Sequence, residues 1–215
     1  MRVVQNLVPP PKYNIKCPYV MTPEFYVVHN TANDASAKNE IAYMLKNNNK
    51  VSYHYAIDDR EVIQAIPETR NAWHAGDGNG PGNRKGIGIE ICYSKSGGKK
   101  FEEAEKLAAK FIAKGLKEKG WGIDRVKKHQ DFSGKYCPHR TLDLGWQRFL
   151  NMIQNELNKL KGAEKVTDKN KPSSWAKEAW EWAKKEGYLD GTRPKDPITR
   201  EEMVIVIKRL VDKNE

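Results

Sequence analysis

Residues 129–140, His-Gln-Asp-Phe-Ser-Gly-Lys-Tyr-Cys-Pro-His-Arg, bring two histidines, a cysteine, a lysine and an aspartate into twelve positions, with Gly134 and Pro138 shaping a loop. Imidazole and thiolate are donors that zinc prefers; three protein ligands leave a catalytic position open, and four close a structural site. His129 ends the short strand-like run from Val126, and His29 ends the β-branched and aromatic run from Phe25. Ligands in α/β sheets gather at strand ends. If Cys137 holds a metal, Lys135, two residues away in an extended segment, faces the same pocket. His29, His129 and Cys137 then give a His₂Cys site with one open position, suited to acidifying a water and polarising a carbonyl. Glu90, set between Ile89 and Ile91, needs a partner; beside a metal it is a candidate general base, and otherwise it pairs with Arg84 or Lys85. Lys135 is a candidate for holding a developing oxyanion. On spacing alone His54, His74 and His139 stay open as ligands, Cys137 as a small buried residue, and a closed structural site as the competing outcome.

The elements that must position these groups are readable from periodicity. Phe25–His29 and Gly86–Cys92 read as buried strands, and Val51–Ile57 with Glu61–Ile66 as a hairpin around Asp58-Asp59-Arg60. Residues 37–46, 101–116 and 146–157 carry apolar side chains at helical spacing. Leu7–Pro23 reads as an irregular arm, and Pro67–Lys85 as a long loop in which Trp73 and His74 favour function. Strands alternating with helices, plus one hairpin, predict an α/β fold with a mixed β-sheet flanked by helices over residues 1–160. Polar residues 161–172 read as a linker, and 173–215 as a small helical C-terminal domain, one helix stopped by Gly187 and a second capped by Thr199.

The chain has 215 residues and a net charge of +10. From residue 163 onward 12 basic residues face 11 acidic ones, so +9 of that charge lies in residues 1–162. A polyanionic partner is implied, either nucleic acid or an anionic wall polymer. No interleaved aromatic–basic surface or recognition motif supports nucleic acid. Cys17, Cys92 and Cys137 are too few and too scattered for a disulfide framework. No signal peptide and no apolar run of membrane-spanning length is visible. The expectation is a protein made in the cytoplasm, without membrane insertion, that acts outside after release.

Phe25-Tyr-Val-Val-His29-Asn-Thr-Ala, Ser52-Tyr53-His54-Tyr55, Ala72-Trp73-His74-Ala75-Gly76, Ile87-Gly-Ile-Glu90-Ile and the His129–Pro138 stretch together resemble the zinc amidase-2 family of N-acetylmuramoyl-L-alanine amidases, endolysins among them. The resemblance spans nearly all of residues 1–160. It implies a T7-lysozyme-like amidase fold, Zn²⁺ on His29, His129 and Cys137, and hydrolysis of the amide between N-acetylmuramic acid and L-alanine in peptidoglycan. Glu90 matches the family's acidic residue, Lys135 its lysine, and Tyr53 a functional tyrosine. Glu90 is favoured over Tyr53 for the proton, because a carboxylate is the better base near neutral pH. His54, His74 and His139 have no ligand role by this match, and Trp73 and His74 are expected at the substrate. The implied setting is a phage or prophage endolysin, monomeric, lysing its host. A non-catalytic peptidoglycan-recognition module is the rival; relatives that only recognise peptidoglycan lack the cysteine, so Cys137 speaks for the enzyme. Trp175–Ala183, Gly187–Thr192 and Ile198–Glu202 resemble one S-layer homology unit, which implies binding of anionic secondary wall polymers, with Trp175 and Arg200 as candidate contacts.

Overall fold

The structure, a computed structural model, describes residues 3–165, 171–192, 194 and 196–212. Within residues 3–160 the runs rich in β-branched and aromatic residues become strands of one six-stranded mixed sheet. In chain order these are β1 (Val3–Gln5), β2 (Phe25–Asn30), β3 (Tyr55–Ile57), β4 (Val62–Gln64), β5 (Gly86–Ile91) and β6 (Val126–Lys128). Their spatial order is β1-β4-β3-β5-β2-β6. β3 and β4 pair antiparallel, as the hairpin around Asp58–Arg60 requires, and every other neighbouring pair is parallel. β1 lies in a stretch that periodicity did not mark. Three residues are too few to register a period of two.

The helices are α1 (Tyr13–Lys16), α2 (Ala37–Lys46), α3 (Pro81–Lys85), α4 (Gly98–Lys119), α5 (Gln130–Ser133), α6 (His139–Asp143), α7 (Trp146–Lys165), α8 (Lys177–Lys185) and α9 (Arg200–Asp212). Phe101, Ala104, Ala108, Phe111, Ile112 and Leu116 of α4 join Phe149, Ile153 and Leu157 of α7 over one sheet face, where Val28, Ile87, Ile89 and Ile91 point. The opposite face packs Ala56, Ile63 and Cys92 against Ile41 and Met44 of α2. Because successive strand residues alternate faces, His29 and Glu90 lie on this α2 side, opposite Val28, Ile89 and Ile91.

The N-terminal arm is tied down rather than loose. Lys16, fully buried, donates from Nζ to Asn47 Oδ1 at 2.8 Å and to the Val51 carbonyl at 3.1 Å. Lys12 donates to the carbonyls of Leu45, Lys46 and Asn47, which the end of α2 leaves without partners. The expected strand from Val51 is ladder-paired only over Tyr55–Ile57; Ser52 turns instead to Trp73, with bonds of 3.0 and 2.9 Å. Cys17, Cys92 and Cys137 are all free thiols.

The chain divides into two compact units, residues 1–160 and 161–215. α7 continues to Lys165, so the stretch read as a linker begins as helix, and its residues 166–170 lie outside the described ones. In the second unit Thr199 and Glu202 form a reciprocal cap on α9: Thr199 N–H donates to Glu202 Oε2 at 2.9 Å, and Glu202 N–H to Thr199 Oγ1 at 3.1 Å. Trp182 packs on Tyr188 with ring centroids 5.3 Å apart. No helix among the described residues is long and apolar enough to cross a membrane.

Candidate metal centre

Three adjacent parallel strands deliver the chemistry at their carboxyl ends. His29 is the penultimate residue of β2, Glu90 that of β5, and His129 follows β6 directly, its N–H bonded to the Val28 carbonyl at 3.2 Å. The cysteine arrives from the loop after α5. Gly134 takes φ 74°, a left-handed turn that a side chain disfavours, and the Cys137 carbonyl accepts from Gln130 N–H at 3.0 Å. Asn30 fastens that loop to the end of β2, its Oδ1 accepting from the N–H groups of Arg140 and Thr141 at 3.0 and 3.1 Å. These connections put three groups from distant parts of the chain in one buried place.

His29, His129 and Cys137 offer ligand atoms that all lie within 4.8 Å of one another. His29 Nδ1 is 3.0 Å from His129 Nδ1 and 3.8 Å from Cys137 Sγ. A tetrahedral zinc with nitrogens at about 2.0–2.1 Å and sulfur at about 2.3 Å sets N–N near roughly 3.3 Å and N–S near roughly 3.6 Å. The spacing and the donor set therefore fit such an ion. Burial, reinforced by His74, His129 and Lys135, holds His29 well below the usual imidazole range; burial and Lys135 lower His129 as well. Both rings are thus neutral, the state that ligates. Burial and Glu90 push the Cys137 thiol up to about 11. Only a cation at the site would hold that sulfur as thiolate near neutral pH.

Around this triad, Glu90 Oε2 is buried with no hydrogen-bond partner. The alternative ion pairs for it are not formed, since Lys85 bridges Glu24 at 2.8 Å and Arg84 lies over the Tyr19 ring. Burial, then Glu40, raises Glu90 to about 8, with Lys135 opposing. Lys135 is exposed on its loop, yet its charge acts on His29, His129, Cys137 and Glu90 alike. Tyr53 is buried, and its hydroxyl donates to Glu40 Oε2 at 3.4 Å; burial, Glu90 and Glu40 push it far above the usual phenol range. Glu40 in turn accepts from Asn33. A cleft of about 620 Å³ runs over these residues, lined by Asn33, Asn39, Glu40, Asn49, Tyr53 and Glu90 among others.

The remaining sequence candidates separate. His54 is structural: its Nδ1 accepts from Gly88 N–H and its Nε2 donates to the Arg70 carbonyl, both at 2.9 Å. His139 bonds the Ser94 carbonyl at 3.3 Å. Trp73 donates from Nε1 to the Ile15 carbonyl at 3.1 Å and meets Tyr19 edge-on, at the base of the N-terminal arm. His74 is buried, with Nδ1 3.0 Å from His29 Nε2. In the second unit Trp175 is 88% exposed and Arg200 opens α9. Glu40 and Asn33 were not singled out from sequence, since a lone Glu on an amphipathic helix reads as surface.

The fold and site define an α/β protein with a His₂Cys cluster able to hold a metal at the carboxyl ends of parallel strands, with Glu90 between it and a cleft. The family model described as N-acetylmuramoyl-L-alanine amidase (Amidase_2) matches residues 19–140. The chain is 51% identical, over 98% of its length and 79% of the relative's, to N-acetylmuramoyl-L-alanine amidase CwlA of Bacillus subtilis (strain 168). It is 58% identical to XlyB of the same organism, over 80% of this chain and 55% of that protein. Its structure is similar to that of PlyL, with TM-score 0.70 and 51% identity over 71% of this chain and 97% of that one. The chain belongs to the N-acetylmuramoyl-L-alanine amidase family, a family of enzymes.

Proposed function

We propose that the protein hydrolyses the amide between the lactyl group of N-acetylmuramic acid and the L-alanine of the stem peptide in bacterial peptidoglycan, as a zinc-dependent wall-lytic enzyme of the endolysin type. The observation that carries this reading is the convergence of His29 Nδ1, His129 Nδ1 and Cys137 Sγ beside the unpartnered Glu90 Oε2, in a chain of this family. His29, His129 and Cys137 hold the ion, which when bound supplies Lewis acidity toward a carbonyl and acidifies water toward a pKa of about 7. Glu90 takes a proton at Oε2 and returns it to the departing alanine nitrogen. Its environment, which raises it to about 8, makes a carboxyl able to hold and release a proton near neutral pH. Lys135 places an ammonium where negative charge grows on the carbonyl oxygen. Tyr53, protonated and turned toward Glu40, closes the cleft wall rather than serving as base.

For the second unit we propose binding to anionic secondary wall polymers of the S-layer-homology kind. Support comes from the solvent-facing Trp175, which offers a ring for stacking on sugars, and from Arg200 as an anion contact. Cosedimentation of the full chain with purified walls, in wild type and in Trp175→Ala and Arg200→Ala variants, tests this; unchanged binding defeats it.

The test of the reaction is incubation of purified walls with wild type and with His29→Ala, with new amino groups and new reducing ends assayed separately. Amino groups from wild type alone support the proposal. Reducing ends without amino groups mean a glycosidase and overturn it.

A further inference from the structure

The loop Trp73–Gly76 lies behind the candidate metal centre, and its hydrogen bonds leave the His29 ring little choice of proton position. His74 Nε2 is 3.2 Å from the Gly86 carbonyl oxygen, which can only accept, so that nitrogen carries the ring's proton. His74 Nδ1 is therefore a bare acceptor. It sits 3.0 Å from His29 Nε2, which must donate to it. A neutral imidazole has one N–H, so His29 Nδ1 keeps its lone pair. On the other ligand, His129 Nδ1 faces His29 Nδ1 at 3.0 Å. With its Nε2 committed to His74, His29 turns the bare Nδ1 toward His129 Nδ1 and, at 3.8 Å, Cys137 Sγ. A metal ion can take that lone pair directly.

We propose that His74 is the positioning element of the metal centre: it fixes the Nε2–H tautomer and ring orientation of His29 and so prepares Nδ1 for the ion. The inference rests on the zinc reading above and deepens it. The surroundings are built for this ring. An added Cβ at Gly88 would stand 2.7 Å from His74 Cδ2, so only glycine at that point of β5 admits the imidazole. Asn83 Oδ1 accepts from the N–H groups of His74 and Ala75 at 2.7 and 2.8 Å, and Asp77 holds Asn83 N–H and Gly82 N–H at 3.1 and 2.7 Å. Partners that orient ligating histidines in this way are worth about 10–100-fold in metal affinity.

The test is zinc affinity by competition with a chromogenic chelator, read alongside thermal unfolding of the metal-free protein. Expected for His74→Leu is a loss of about 10–100-fold in affinity, with His74→Asn, which keeps an oxygen acceptor near the Nδ1 position, recovering most of it. Gly88→Ala, which leaves His74 chemically intact but displaces its ring, is expected to weaken zinc as well. Should His74→Leu fail to fold, the ring ¹⁵N shifts of wild type decide: His29 protonated at Nε2 supports the proposal and His29 protonated at Nδ1 overturns it. Wild-type affinity in a folded His74→Leu variant overturns this inference alone, because His29→Ala still abolishes binding. Absence of zinc binding by wild type overturns the zinc reading together with it.

Discussion

Glu90 and His29 stand at the same level of two adjacent parallel strands, with their side chains on the same face of the sheet. The carboxylate and the ligand imidazole are thus fixed by the β2–β5 ladder itself rather than by a loop. Placement on a rigid element suits a group that must meet a reacting atom within a few tenths of an ångström. Glu90→Gln keeps the shape and removes the proton chemistry. The expected outcome is a fall in kcat of about 10²–10⁴ with zinc content unchanged. Muropeptide hydrolysis and metal analysis check it together, and activity within tenfold of wild type removes Glu90 from the reaction.

The same residue gives the metal-free protein a pH signature. Its folded value of about 8 lies above the ordinary 4.5, so between those limits the folded state holds a proton that the unfolded chain has released. Stability from this group is complete below about pH 4.5 and drains away as pH rises to about 8. Glu90→Gln has no such proton to lose. The difference in Tm, variant minus wild type in the presence of chelator, is expected to be smallest at acid pH and to grow in favour of the variant up to pH 8. A difference independent of pH contradicts the burial cost assigned to Glu90.

Lys135 and Tyr53 separate electrostatic help from cleft packing. The ammonium of Lys135 acts on His29, His129, Cys137 and Glu90, so Lys135→Met is expected to lower kcat by about 10²–10³, with partial recovery in Lys135→Arg. Tyr53 already spends its hydroxyl on Glu40 at 3.4 Å, a long bond, and Tyr53→Phe is expected to cost less than about tenfold. Equal losses in both would move the proton chemistry toward the tyrosine.

His29, Glu90 and the helix Gly98–Lys119 were legible in the sequence because each sits in a segment long enough to show its period. A polar residue in such a run announces itself by breaking the pattern. His74 was legible only as a residue in a loop that favoured function; its direction was not. That direction depends on Gly88 making room and on Asn83 gripping the loop, contacts across 9–14 residues that no local pattern encodes. The role of Asn30 is hidden for the same reason: its bonds reach Arg140 and Thr141, more than a hundred residues away.

Zinc uptake is expected to expel protons, and the number identifies the ligand set. Near neutral pH the thiol of Cys137 is protonated, since burial and Glu90 push it up to about 11, while His29 and His129 are neutral and carry none to lose. A metal takes the thiolate, so Cys137 contributes about one proton. Glu90, near 8 without metal, adds a fraction more as the incoming charge draws it down. Affinity is therefore expected to rise by at least about tenfold per pH unit around pH 7, and calorimetric titrations in buffers of different ionisation enthalpy are expected to give a release of about one to two protons. Cys137→Asp brings a ligand that is already ionised, which lowers the release by about one. A release near zero in wild type would mean that the sulfur does not bind the ion, leaving the two histidines without their third partner.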